Sequence, residues 1–348
     1  MLAKEQVKIL KGLGIFMMVI LHLFGFPTWL KNGNYYISIF KTFNIEFILA
    51  KFCGMVVGFY LFLSGYGLAK KYKKIDITYR DILSRILKLY KEYWIVFIPF
   101  TIIGYLFYDL RFISIKDFIL NITAIKPTMN VFVWFIRLYV QYLLIFPILK
   151  KVLDRKRLIA YGVPIILYLF TILNAGFFYF FPQLKWFRET FYYELLYSFG
   201  SYELLFCLGY LFSKDKIYEN IVKKLENKVS LKYFGLLGII LVIIIRSFAR
   251  SLVGKIILFD IFMTDQILVP SYIFFLTLYL TNTRMLKRIF LMLGEYSTAI
   301  WLIHCYFILN YYQSLIYFPK YSILILIWSF LIFIFVSKII LKLKELKK

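Results

Sequence analysis

The sequence predicts an all-α fold, a polytopic bundle of about ten transmembrane helices with both termini in the cytoplasm. Three observations carry that expectation. Hydrophobic residues make up 62% of the chain and aromatic residues 22%, with a mean hydropathy of +0.78, against roughly 45–50% apolar in a soluble domain. The apolar runs are about 20 residues long, the length a helix needs to cross the hydrocarbon core, and lack the short alternation of barrel strands. Finally, Lys and Arg gather in alternate loops, the pattern left by retention of positive charge on the cytoplasmic side.

Each span is bracketed by a charge cluster. The first, at about 8–28, follows Lys4 and Lys8, and the second, 46–69, ends at KKYKKIDITYRDILSRILKLYKE. The third, 93–110, leaves that segment, and the fourth, 131–149, returns to KKVLDRKR. The fifth, 158–181, departs from there, and the sixth, 192–212, closes on SKDKIYENIVKKLENK. The seventh, 231–253, contains arginines, and the eighth, 257–280, returns after a few residues to TNTRMLKR. The ninth, 289–311, and the tenth, 322–341, complete the set, with LKLKELKK as the cytoplasmic tail. Residues 77–91 alternate apolar and basic side chains at helical spacing and are expected as a cytoplasmic amphipathic helix leading into the third span.

The whole of 1–348 therefore reads as one integral-membrane domain, without a cleavable signal sequence or an appended soluble domain. Any chemistry falls to the bundle itself. The net charge of +25 is a signature of topology and anionic membrane lipids and not of nucleic acid. Cys53, Cys207 and Cys305 lie in spans, odd in number and without C-x-x-C spacing, so they read as core residues that bind no metal. No internal repeat of the kind found in inverted-repeat transporters is evident.

Lys11 and His22 share one face of the first span. Eleven residues make about three turns, so the side chains point the same way about 16 Å apart along the axis. Ionisable groups within a span are costly and mark candidate sites, although a snorkelling Lys and an interhelical His are the plainer explanation. The only other histidine, His304, falls at a similar distance along the ninth span, which runs in the same direction. Two imidazoles at one depth suit proton transfer from a hydroxyl. On the cytoplasmic side, Arg85 and Lys88 are three residues apart, and with Lys11 they form a trio of cations suited to phosphates; lipid headgroups would suit them equally.

Further polar groups cluster in the outer half. Arg137 follows the aromatic pair Trp134 and Phe135, and Arg246 and Arg250 are one turn apart before Asp260 and Asp265. The last four read as an internal ion-pair network. Together with Glu46, Lys51 and Glu203 such groups would line an outward-facing cavity polar enough for a sugar, with Arg137, Trp134 and Glu203 as candidate substrate-binding residues. In FLSGYG, Ser64 and Gly65 are small residues that allow close helix approach, and no nucleophile elbow surrounds Ser64.

Five ordered motifs together resemble acyltransferase family 3, whose members include O-acetyltransferases of cell-surface glycans. KGLGIFMMVILH is similar to its basic residue, ten residues, then His, with Lys11 where Arg is commoner. FYLFLSGYGL resembles its second-span signature, RILK its cytoplasmic R-x-x-R, WFIRLYVQYLLIFPIL its W-[FY]-[LI] segment ending in Pro147, and LGEYSTAIWLIH its late motif ending in His304. The chain departs at Leu138, Tyr139 and Val140, where some glycan-modifying members carry acidic residues, and it lacks a following SGNH-type domain. The resemblance implies a multi-pass protein of a bacterial plasma membrane that moves an acyl group, usually acetyl, from cytoplasmic acyl-CoA to a hydroxyl of a cell-surface or lipid-linked glycan. It would use His22, Lys11 and His304 as catalytic residues and Arg85, Lys88 and Lys11 for the donor. The alternative is a non-enzymatic flippase or exporter of a lipid-linked sugar or small solute, whose path the same polar interior would line.

Overall fold

The computed structural model describes residues 2–31, 33–73, 75–108, 114–226, 228–253 and 261–345. Its helices are α1 (Lys4–Phe24), α2 (Ile45–Cys53), α3 (Val56–Lys71), α4 (Tyr79–Phe107), α5 (Ile115–Ile122), α6 (Trp134–Leu153), α7 (Arg157–Phe180), α8 (Lys185–Arg188), α9 (Phe191–Lys214), α10 (Ile217–Leu225), α11 (Leu231–Val253), α12 (Ile261–Thr281), α13 (Arg284–Cys305), α14 (Gln313–Tyr317) and α15 (Ser322–Glu345). Among the described residues there is no strand, only one isolated bridge between Ile37 and Tyr321. The fold is all-α, as the hydropathy pattern requires.

Eight helical stretches are long and apolar enough to cross a membrane among the described residues. The other two expected spans coincide with α4 and α12. The second span is broken at Gly54 into α2 and α3, and the ninth continues past α13 into a π-helical turn, Tyr306–Asn310. Residues 79–107 form one helix, so the amphipathic stretch runs without a break into the third span. Along α15, Ile323, Leu324, Ile327, Leu331 and Phe335 are exposed; an apolar stripe left outward at helical spacing faces lipid and not water.

The contacts divide the chain into two compact units. The first comprises Met1–Val7, Val57–Leu83 and Leu138–Lys287. Within it α3 and α9 touch backbone to backbone, because a Cβ on Gly65 would lie 2.0 Å from the Phe206 carbonyl oxygen and one on Gly209 2.0 Å from that of Phe62. Gly65 thus serves packing, as its small size suggested, while Ser64 Oγ donates to the Tyr139 hydroxyl at 3.0 Å. Without a hydrophobic drive between helices in lipid, such close approach is a main source of their association.

The same unit holds a buried ion pair. Arg246 Nε and NH2 donate to the two carboxylate oxygens of Asp265 at 2.7 and 2.9 Å, with only 2% and 4% of the two residues exposed. Asp260 and the Arg250 side chain, the other expected members of the network, lie outside the described residues. Arg246→Leu leaves the Asp265 carboxylate buried and alone, which costs about 3–5 kcal/mol; a thermal scan of purified protein should show a lowered midpoint.

The second unit comprises Lys8–Val56, Ser84–Arg137 and Arg288–Lys348. The connections near the C-terminal end of α1 are tied down by buried polar side chains. Glu46 accepts from Ile39 N at 2.8 Å, from Ser322 Oγ at 2.5 Å and from Ser38. Gln313, 6% exposed, donates to the Trp29 and Ile308 carbonyls and accepts from Lys31 N. A buried amide with every group satisfied fixes backbone that would otherwise wander in a loop.

Candidate active site

Within the second unit, α1 and α13 run parallel and touch at a pair of glycines. A Cβ on Gly12 would meet the Phe290 carbonyl oxygen at 1.9 Å, and one on Gly294 would meet that of Lys8 at 2.1 Å. Lys8 Nζ adds an ion pair to Glu295 Oε1 at 2.6 Å. From Gly12 to His22 is ten residues, and from Gly294 to His304 is also ten. Equal rise from one contact brings the two imidazoles to one height, and His22 Nδ1 lies 2.9 Å from His304 Nε2.

The hydrogen-bond chain fixes the tautomers. His304 Nδ1 is 2.6 Å from the Trp301 carbonyl oxygen, which can only accept, so that nitrogen carries the proton. In a neutral pair His304 Nε2 is then the acceptor, and His22 Nδ1–H donates to it. The lone pair of His22 falls on Nε2. His304 has no exposed surface, whereas His22 is only partly buried. The reachable nitrogen is therefore the basic one, an arrangement in which a buried second group orients a catalytic imidazole.

Phe132 forms a plate beside both rings. Its centroid is 3.7 Å from that of His22, at 12° between planes, and 4.8 Å from that of His304, at 11°. An aromatic face in this position favours an imidazolium when one forms. The backbone around it is pinned from several sides. Asn130 Nδ2 donates to the Leu302 carbonyl at 3.0 Å and Asn310 Nδ2 to that of Met129. Asn121 accepts from Thr128 N and Met129 N, and Tyr90, Tyr93 and Trp94 of α4 donate to the carbonyls of Thr123, Asn121 and Ile122. The π-helical turn that begins directly after His304 and Cys305 is a frequent companion of functional sites.

At the other end of α1, Lys11 is an exposed residue whose ammonium is within electrostatic range of Lys88 and Glu92 on α4. Arg85 lies one turn before Lys88 on the same helix, half-buried. The structure thus brings Lys11 and Lys88 together as the charge pattern suggested, and adds Glu92, which it had not. Lys11 and Lys88 beside one carboxylate, with Arg85 one turn before Lys88, leave a net positive patch at the end of α1 away from His22.

The outer candidates separate. Arg137, 8% exposed, donates from NH1 to the Ile125 carbonyl at 2.9 Å and so braces the turn that leads to Phe132. Trp134, in the same unit, is partly buried and packs edge-on against Phe135. Glu203 belongs to the first unit; it is 1% exposed, and its Oε1 accepts from Cys207 Sγ at 3.1 Å. Glu46 is used up in loop anchoring, and the Lys51 ammonium sits over the rings of Phe26 and Phe47 at 5.0 and 4.9 Å. The cysteines are all free and buried, and no metal-holding group occurs among the described residues. Phe132, Asn130, Glu92 and Trp29 went unnoticed in the sequence. Asn and aromatic residues in a loop give no periodic signal, and Glu92 is one charge in a run of many.

Compared with known families, residues 5–342 match a family model described as an acyltransferase domain, that of acyltransferase family 3. No curated protein and no solved structure matches the chain significantly. With the family model covering nearly all of a polytopic helical chain whose two histidines meet, the protein belongs to acyltransferase family 3 and is a membrane acyltransferase.

Proposed function

We propose that the protein transfers an acyl group, normally acetyl, from cytoplasmic acyl-CoA to a hydroxyl of a cell-surface or lipid-linked glycan at a bacterial plasma membrane. The observation that supports this reading best is the pairing of His22 with His304 on the helix whose other end carries Lys11 beside Lys88. Arg85, Lys88 and Lys11 hold the donor's phosphates, for which both the guanidinium fork and the ammonium are suited. A pantetheine arm of about 15–20 Å then spans the roughly 16 Å of helix rise between Lys11 and His22. Arg137 and Trp134 stand on the acceptor side, Arg137 by holding the loop that leads to Phe132.

Chemistry follows from the tautomer. His22 Nε2 takes the proton of the acceptor hydroxyl as its oxygen attacks the thioester carbonyl carbon. The C–O bond forms, the C–S bond breaks, and the departing CoA thiolate receives the proton from the imidazolium. His304 holds Nδ1 of His22 throughout, and its own Nδ1–H remains on the Trp301 carbonyl.

Donor binding provides the test. Titration of purified protein with acetyl-CoA should show saturable binding, weakened at least tenfold by Arg85→Ala and further by the double variant with Lys88→Ala, at unchanged abundance. The loss should shrink as salt rises, because exposed charges are screened. Absence of any acetyl-CoA binding by the unaltered protein overturns the donor assignment.

A further inference from the structure

The first unit, which contains neither histidine, holds a cavity of about 420 Å³ where α7 begins and α9 gives way to α10. Arg157, Tyr161, Lys214, Asp215, Ile217 and Asn220 line it. The carboxylates of the two adjoining turns are already engaged. Asp154 accepts from Lys150 Nζ at 2.7 Å and from the Tyr210 hydroxyl at 2.8 Å, and Asp215 accepts from the Tyr161 hydroxyl at 2.8 Å. Lys214 Nζ donates to the Leu153 carbonyl at 2.6 Å, which uses one of its three N–H groups. The Arg157 guanidinium lies over the Tyr161 ring, 5.7 Å from its centroid. Among the described residues neither cation forms an ion pair with a carboxylate.

The backbone adds to this charge. Arg157 and Ile217, the first residues of α7 and α10, both line the cavity. Both helices have lysine at the N-cap, Lys156 and Lys216, with no side-chain cap hydrogen bond. An N-cap normally supplies an acceptor, which lysine cannot do, and a cation there opposes the helix dipole. Lys216 also sits at φ 52°, in the left-handed region, which a side chain other than glycine's occupies at a cost. Two such helix starts are unfavourable alone and become favourable when an anion meets their first-turn N–H groups.

The surroundings indicate which anion. Leu158, directly after Arg157, is 86% exposed, and Ile165 and Leu169 continue an exposed apolar row from it along α7. Since α7 is long and apolar enough to cross a membrane, that row lies among acyl chains and its Arg157 end at headgroup depth. Two cations beside one carboxylate leave a single net positive charge, the complement of a phosphodiester monoanion. We infer that the cavity binds the headgroup of an anionic glycerophospholipid. Arg157 and Lys214 hold the phosphate, Asp215 and Asn220 accept from headgroup hydroxyls, and the chains lie along Leu158, Ile165 and Leu169. The lipid ties the turn between α6 and α7 to the one between α9 and α10, and neither site nor test depends on the acyl-transfer reading.

Native mass spectrometry of the full-length protein in detergent, titrated with phosphatidylglycerol, phosphatidylcholine or inorganic phosphate, provides the test. The unaltered protein should hold one phosphatidylglycerol at least about tenfold more tightly than phosphatidylcholine, as hydrogen bonds to a charged group allow. Arg157→Gln combined with Lys214→Gln should remove that preference. Lys223→Gln combined with Lys224→Gln, on exposed residues of α10 outside the cavity, should leave it within about twofold, and circular dichroism checks that both double variants are folded. Equal binding of the two lipids by the unaltered protein, which needs no variant, overturns the site. So does an undiminished preference in the Arg157 and Lys214 variant, or an equal loss in both double variants, which would be a general effect of surface charge. Inorganic phosphate bound as tightly as phosphatidylglycerol makes a free anion the occupant and overturns the lipid.

Discussion

His22→Ala is expected to lower acyl transfer by about 10²- to 10⁴-fold, the usual contribution of a positioned general base, while the protein still inserts, accumulates and binds acetyl-CoA. The variant removes Nε2, the only lone pair in the histidine pair that the hydrogen-bond chain leaves unused. His304→Leu should approach the same loss, because His22 Nδ1–H then has no acceptor and the imidazole is free to rotate or to take the other tautomer. His304→Gln can present an amide oxygen to that N–H and should recover a measurable share of the rate. Surface-glycan acetyl content of cells carrying each variant, together with the rate on a defined acceptor, checks the series. Full transfer by His22→Ala removes the imidazole from the mechanism, and equal losses in His304→Leu and His304→Gln show that orientation of His22 is not what His304 provides.

Gly12→Leu should separate the helices that carry the two histidines. A Cβ there would sit 1.9 Å from the Phe290 carbonyl oxygen and 2.8 Å from Gly294 N, both backbone atoms that cannot swing aside. Overpacking of this kind costs about 1–3 kcal/mol or more. The functional loss should exceed what that implies, since a displacement of about 1 Å in a catalytic constellation can cost 10²-fold. Gly12→Ala is the milder form of the same wedge. A thermal scan beside the transfer rate separates the two effects: activity falling much further than stability identifies misalignment of the imidazoles, and wild-type activity in Gly12→Leu means that the contact does not set their spacing.

What the sequence made legible were features with a local cause. Helix limits follow the charged loops because a charge in hydrocarbon is so costly, and α7, α9 and α11 begin and end within a few residues of their expected spans. The common height of His22 and His304 follows from counting residues along two helices of one direction, and the Arg246–Asp265 pair from two opposite charges that neither water nor lipid can satisfy. Phe132 and Trp29 were not legible, because their places are set by carbonyls gripped from distant residues: Asn130 on Leu302, Asn310 on Met129, Gln313 on Trp29. Nor does membrane depth tell which polar residues share a unit; Arg137 and Glu203 were paired on depth alone, yet one belongs to each unit. The break at Gly54 escaped for a simpler reason, since apolar residues continue through it on both sides.

The equal intervals from Gly12 to His22 and from Gly294 to His304 also constrain how this chain can change length. Inserting one residue between glycine and histidine on α1 would lift His22 by about 1.5 Å and turn it by about 100°, carrying Nδ1 away from its acceptor. The same insertion on α13 would do the same to His304. An insertion or deletion above the crossing is therefore tolerable only when both helices undergo it together, so that two stretches of sequence 282 positions apart share a single length standard.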